Sequence, residues 1–178
     1  MRTGSAHKEE TMRKLKPIAA AIVLATTVGA APAPKAPQAH NVTVTVQRLR
    51  ALSNLDADFL RPDRADFYAE VSIDGRRTRT ATVFGKDDIR PNWKFTQRTL
   101  NRYVVISIRA YDNDGGLEGT DDFCDLNPSK GARELSFVYD TATGRITGGA
   151  TGRRGQPITV GGSGDGRKAE IVFVVNHN

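Results

Sequence analysis

The sequence predicts an all-β chain folded as an antiparallel β-sandwich. Three observations carry this. Short runs of alternating apolar and polar residues recur between residues 42 and 175, and a period of two is the mark of a half-buried strand. Turn-forming residues such as Asp74-Gly75 separate these runs at short intervals, which suits hairpins. After residue 40 no stretch longer than ten residues carries a convincing 3.6-residue period.

The elements follow in order. Residues 42–46, VTVTV, alternate strictly, and residues 67–73, FYAEVSI, put Phe67, Ala69, Val71 and Ile73 on one face. Asp74-Gly75 then leads into 77–84, RTRTATVF, the pattern of a tight hairpin. Residues 93–99, WKFTQRT, and 103–111, YVVISIRAY, are strands on either side of Asn101-Arg102, with Trp93 and Phe95 read as core. ELSFVYD at 134–140, TATG and RITG make a further hairpin, and AEIVFVV at 169–175 is the last strand. The Gly-rich segment 148–168 reads as a long surface loop. Seven or eight short strands joined by turns suit a sandwich.

At 178 residues the chain has about one domain's length. Its N-terminus is read as lying outside that domain. Residues 18–28, IAAAIVLATTV, follow Arg13, Lys14 and Lys16 and precede Val28-Gly29-Ala30. This is a charged n-region, an apolar h-region and a small-residue cleavage site, so residues 1–30 are expected to be a signal peptide cut after Ala30. Met12 opens a more typical start than Met1, which makes 1–11 a candidate start-site artefact. The alternative is an amphipathic or buried N-terminal helix. The apolar run is far shorter than the ~20 residues of a membrane span, and the cleaved chain is expected in the periplasm or outside the cell. Residues 31–40 are a Pro/Ala-rich linker, and 41–178 the folded domain.

Without residues 1–30 the formal charge of +6 falls to +3, from 21 basic and 18 acidic residues. That balance is too mild to argue for nucleic acid. The single Cys124 rules out an internal disulfide and a Cys-based zinc site, and it reads as a buried strand residue. Catalysis has little support. His7 lies in the targeting segment, His40 and His177 at the domain ends, and no G-x-S-x-G occurs. The chain is expected not to be an enzyme.

Ten of the 18 acidic residues fall in two segments between strands: Asp56, Asp58, Asp63 and Asp66, and then Asp112, Asp114, Glu118, Asp121, Asp122 and Asp125. Asp87-Asp88 adds a pair in a third loop. Like charges so close repel unless a cation sits between them, and several oxygen donors on flexible loops are what Ca²⁺ requires. Solvated turn residues are the alternative, since Asp is common in turns. The DNDGG run from Asp112 fails as an EF-hand: its sixth position is Leu117 and its twelfth Phe123, where Gly and Glu are needed.

Three motifs stand in sequence: Asp66-Phe67-Tyr68-Ala69-Glu70-Val71, Pro91-Asn92-Trp93, and Ile108-Arg109-Ala110-Tyr111-Asp112-Asn113-Asp114 followed by Asp122-Phe123. In that order they resemble the C2 domain, the calcium- and phospholipid-binding β-sandwich of protein kinase C and synaptotagmin. The match runs over about 42–126, and the later strands complete the eight-stranded sandwich that it implies. Two departures are that Phe67 replaces a proline and that Asp125 stands where glycine is usual.

The resemblance implies Ca²⁺ as cofactor, held by loops one and three at one end of the sandwich. Carried over by position, Asp66 is the later loop-one ligand. Asp112, Asp114 and Asp122 are loop-three ligands, and the Asn113 carbonyl adds an oxygen. Asp58 is chosen as the earlier loop-one ligand, with Asp56 and Asp63 as rivals. Phe59, Leu60 and Leu117 at the loop tips are candidate membrane contacts, or else pack back onto the domain. Arg77, Arg79 and Lys94, with Arg76, are a candidate basic patch for headgroups, or else a solvated edge. The implied function is calcium-dependent attachment to an anionic phospholipid surface or to an extracytoplasmic protein. The alternative is a structural or adhesive sandwich in which Ca²⁺ only rigidifies the loops.

Overall fold

The structure, a computed structural model, describes residues 38–53, 55, 64–114, 120–164 and 166–178. The expected signal peptide, most of the expected linker, Asp56, Asp58, Phe59, Leu60, Asp63 and Leu117 lie outside the described residues. The described residues form twelve strands and no helix. They are β1 (His40–Ala51), β2 (Phe67–Ile73), β3 (Arg76–Arg79), β4 (Asp88–Ile89), β5 (Trp93–Thr99), β6 (Tyr103–Asp112), β7 (Asp122–Cys124), β8 (Leu135–Asp140), β9 (Arg145–Gly148), β10 (Gly152–Arg153), β11 (Ile158–Gly161) and β12 (Ala169–His177).

Two antiparallel sheets result. One runs β11-β12-β1, with both β5 and β4 on the far flank of β1. The other runs β10-β9-β8-β6-β2-β3, with β7 beside β8 on the same flank of β6. In β1 the buried residues are Val42, Val44 and Val46, and then Leu49. The step of three marks a bulge against β12 between Val46 and Arg48, where one extra residue restores the inward face. At that bulge β1 exchanges β5 for β4 as partner.

The sheets meet across alternate residues of each strand. Val104, Ile106, Ile108 and Ala110 of β6 are fully buried, as are Val44, Ile171 and Phe173 of the facing sheet. The rings of Phe137 and Phe173 stack at 5.1 Å between the sheets. Cys124 is buried in β7, and burial pushes its thiol well above the ordinary range, so it is inert. Phe95 is core, and Trp93 packs against the core half-covered.

The hairpin at Asp74-Gly75 forms as expected: both residues have positive φ, 54° and 84°, the two-residue turn that matches strand twist. Asp74 also ties the sheets together. Its carboxylate accepts from Thr99 Oγ1 at 2.5 Å and from Asn101 Nδ2, both on the β5–β6 crossing.

Three expectations need correction. The described residues form twelve strands where eight are expected, because strands of two to four residues add to the long ones. Residues 148–168 are not one loop, because β11 within them pairs with β12 and buries Ile158 and Val160. A strand of four residues with two apolar ones is too short to stand out among glycines. The 77–84 strand ends at Arg79, after which the Thr80 N–H donates to Ala69 O and Val83 bridges to Phe67. The chain there leaves the sheet to build the loop end.

Phe173→Ala should cost about 3–5 kcal/mol, because it leaves a cavity between the sheets. Val105→Ser, at a position 54% exposed, should change stability by less than about 0.5 kcal/mol. Urea unfolding monitored by Trp93 fluorescence measures both.

Candidate functional site

The alternation along β6 decides what sits at its end. Val104, Ile106, Ile108 and Ala110 point inward, so Asp112 takes the next inward position and is only 2% exposed. Its cross-strand partner in β7 is Asp122, which is 8% exposed. Phe67 pairs with Asp112 on the other side, which brings Asp66 to the same end. Two carboxylates directly opposite one another repel, and burial raises that cost.

Several bonds offset it. Asp112 Oδ1 accepts the Asp66 N–H at 2.5 Å. Asp66 Oδ1 accepts the Gly85 N–H at 2.5 Å, and the Asn113 N–H donates to Asp66 O at 3.0 Å. Asn113 Nδ2 lies 3.4 Å from Thr82 Oγ1, and Asp114 follows it half-buried. Arg167 Nη1 lies 2.7 Å from Asp122 Oδ1. Arg167 is itself built in. It has a positive φ of 47°, and its carbonyl accepts the Asp125 N–H at 2.8 Å. An internal cation thus stands on one of the candidate ligands, and nothing in its sequence spacing signals that.

Other acidic residues of these loops have structural roles. Asp125 is 3% exposed, and its two oxygens accept the N–H groups of Asn127 and Gly164, which ties Gly164 to the chain after β7. Asp121 accepts from the Tyr68 hydroxyl at 2.6 Å. Asp87 accepts the Ala65 N–H, and Asp88 takes a two-pronged bond from Arg48 that holds its carboxyl below the usual range. Local bonds thus engage these four, as they engage Asp66, Asp112 and Asp122 at the end of β6.

The candidate basic residues are divided between the two sheets. Arg77 and Arg79 lie on β3 of one sheet, and Lys94 lies on β5 of the other. Arg77 reaches Glu70 at 3.7 Å. Arg79 covers the Tyr68 ring at 3.7 Å and lies 3.7 Å from Asp121. It caps an aromatic ladder, Tyr68 on Tyr111 at 4.9 Å and Tyr111 on Phe123 at 5.1 Å. Strand identity alone could not reveal which sheet each cation would join.

One residue escapes the sequence reading. Phe84 closes the strand expected over 77–84, yet it is 67% exposed and adjoins Gly85, the donor to Asp66. An exposed aromatic therefore stands at the acidic end.

Carboxylate and carbonyl oxygens are the hard donors that suit Ca²⁺, so the chemistry of Asp66, Asp112, Asn113, Asp114 and Asp122 fits that ion. Among the described residues no group of three or more His, Cys, Asp or Glu side chains is arranged to hold a metal.

No family model and no curated protein matches the chain. Solved structures do. Human GIVD cytosolic phospholipase A2 is similar over 82% of this chain and 17% of its own, at 20% identity and a TM-score of 0.50. A calcium-bound pair of C2 domains from extended-synaptotagmin 2 is similar over 79% of this chain and 46% of its own, at 11% identity and a TM-score of 0.53. This chain thus spans well under two thirds of either structure. A solved C2 domain is similar over 78% of this chain and 98% of its own, at 10% identity and a TM-score of 0.51. Two antiparallel sheets, the acidic end between β6 and β7, and these likenesses give one conclusion: the chain has the fold of a C2 domain.

Proposed function

We propose that the chain is an exported, non-enzymatic, calcium-binding C2-type module, secreted or periplasmic, that attaches to anionic phospholipid surfaces when calcium is high. The observation that carries this is the facing pair Asp112 and Asp122, buried at the acidic end with Asp66 beside them. A fold that sets buried carboxylates opposite each other gains from a cation there. Asp66, Asp112, Asp114 and Asp122, the Asn113 carbonyl and Asp58 would hold Ca²⁺. The ion would supply positive charge and open coordination for a headgroup. The chain's own part is to aim oxygens from β6 and β7, to keep the inner side dry, and to present Phe84 beside them. Phe59, Leu60 and Leu117 extend the apolar contact in this reading. Among the described residues no helix is long and apolar enough to cross a membrane.

A second reading is a structural or adhesive sandwich, which would meet a protein partner and use Ca²⁺ only to stiffen its loops. The Asp125 network favours it, because that carboxylate fastens two backbone N–H groups of the loops. Liposome binding separates the two.

Calcium should raise the melting temperature, because it binds the folded state preferentially. Asp112→Asn with Asp114→Asn should remove most of that rise and leave the metal-free protein as stable or slightly more so. A thermal shift unaltered by the double change would place calcium elsewhere.

Arg167 and a metal ion are rivals for Asp122. Arg167→Gln should therefore raise calcium affinity roughly two- to fivefold, since a partly exposed ion pair contributes about 0.5–1 kcal/mol. Calorimetric titration of both proteins decides it, and unchanged affinity would remove Asp122 from the ligand set.

Sedimentation with anionic liposomes should require calcium. Phe84→Ser should weaken it about tenfold, the equivalent of ~1.4 kcal/mol, a fraction of the ~1.5–3 kcal/mol for a fully desolvated side chain. Wild-type protein left in the supernatant at saturating calcium would favour the structural reading.

A further inference from the structure

Positive charge gathers at the other end of the sandwich. Strand β6 separates the two ends, since Asp112 closes it on one side and Arg102 precedes it on the other. Its ten residues span about 30 Å at ~3.4 Å per residue. Beyond the Arg102 end is a hollow of about 350 Å³ lined by Thr141, Thr143, Gly144, Arg153, Arg154 and His177. That volume is in the range of small-ligand sites, ~300–1,000 Å³.

The walls are fastened by backbone bonds. The Arg154 N–H donates to Gly144 O at 2.7 Å, the Gly155 N–H to Val175 O at 2.9 Å, and the Thr141 N–H to Arg102 O at 2.9 Å. Gly144 has φ of +68°, and a Cβ there would lie 3.0 Å from Arg154 Cβ. The close approach of the two turns thus needs glycine.

Among the described residues no carboxylate forms an ion pair with Arg153 or Arg154 of this hollow, or with Arg145 beside it. Arg145 and Arg153 are direct cross-strand partners, an arrangement that repels. Asp140, the carboxylate at the turn, is taken by both prongs of Arg102, the Thr143 hydroxyl and the Ala142 N–H. Arg154 turns instead to an imidazole, with Nη1 3.2 Å from His177 Nε2. A guanidinium has only donors, so Nε2 accepts and Nδ1 carries the proton, facing the Tyr139 hydroxyl at 2.5 Å. The His40 ring stands edge-on at 5.1 Å. Burial, Arg154 and His40 hold the His177 pKa below the ordinary imidazole value, so the ring stays neutral near pH 7.

A neutral imidazole is a weak acceptor for a guanidinium. An oxyanion is a far better one, because the charged fork matches two phosphate oxygens. We propose that this hollow binds a phosphate group, with Arg153 and Arg154 as its charged donors, His177 beside it and Arg145 adding charge from the adjacent strand. The site is separate from the acidic loops and needs no calcium.

The test uses the full chain in calcium-free buffer. Sodium phosphate is titrated at constant ionic strength, with sodium chloride as the screening control, while the His177 ring protons are followed by NMR. Phosphate should give a saturable shift that chloride does not. The His177 titration midpoint should rise, because a bound anion favours the imidazolium over the opposition of Arg154 and His40. Arg153→Gln with Arg154→Gln should weaken the interaction at least tenfold at an unchanged melting temperature, since both residues are exposed. Phosphatidylcholine vesicles with and without phosphatidic acid identify the source. Sedimentation only with phosphatidic acid, lost in the double variant, assigns the site to a lipid-borne phosphate. Saturable binding of free phosphate without sedimentation assigns it to a soluble one. Equal responses to chloride and phosphate, undiminished binding by the double variant, or no response to either phosphate source overturns the proposal.

Discussion

Strand β6 is the constraint on which the rest of this structure depends. It is paired along both flanks, to β2 on one side and to β8 and then β7 on the other. A strand so held cannot slip by one residue without turning its entire apolar face to solvent. Its alternation therefore fixes three things together. Val104, Ile106, Ile108 and Ala110 face the other sheet. Tyr111 faces outward between Tyr68 and Phe123. Asp112 is carried to the inner face, where a carboxylate is costly. The acidic site is thus a consequence of the register that builds the core.

The two ends of the sandwich treat their charges differently. Among the described residues of the acidic end, Asp87, Asp121 and Asp125 are matched by N–H groups or a tyrosine hydroxyl, and Asp88 and Asp122 by Arg48 and Arg167. The inner pair, Asp112 and Asp122, still face each other across two strands. At the basic end Asp140 is consumed by Arg102, and Arg154 meets a tyrosine–histidine pair. The acidic and basic groups of the sandwich thus stand at opposite ends of β6. The mild net charge hides that separation, because it averages over both.

Much of the fold was legible because period two is a local property. FYAEVSI and WKFTQRT are strands with the bounds their alternation suggested, and Asp74-Gly75 forms the turn its residue types favour. The short strands β4, β7, β10 and β11 were not legible, since two to four residues cannot display a period and exist only through their partners. The site was legible in part. Asp112 and Asp122 are cross-strand partners and the Asp66 N–H donates to Asp112, an adjacency that the order of the motifs along the chain suggests. Asp121 and Asp125 looked equivalent in composition, but they serve a hydroxyl and a turn.

The sequence by itself determined the all-β class, the inward face of each long strand, and the concentration of carboxylates between strands. These follow from alternation and composition, which act over neighbouring residues. Only the tertiary structure decided which charges meet. Arg167 reaches Asp122 from a turn more than forty residues away. Lys94 and Arg79 separate onto different sheets, and Arg154 comes to His177. Such pairs depend on strand order and register across the whole sandwich, and no local pattern along the chain encodes them.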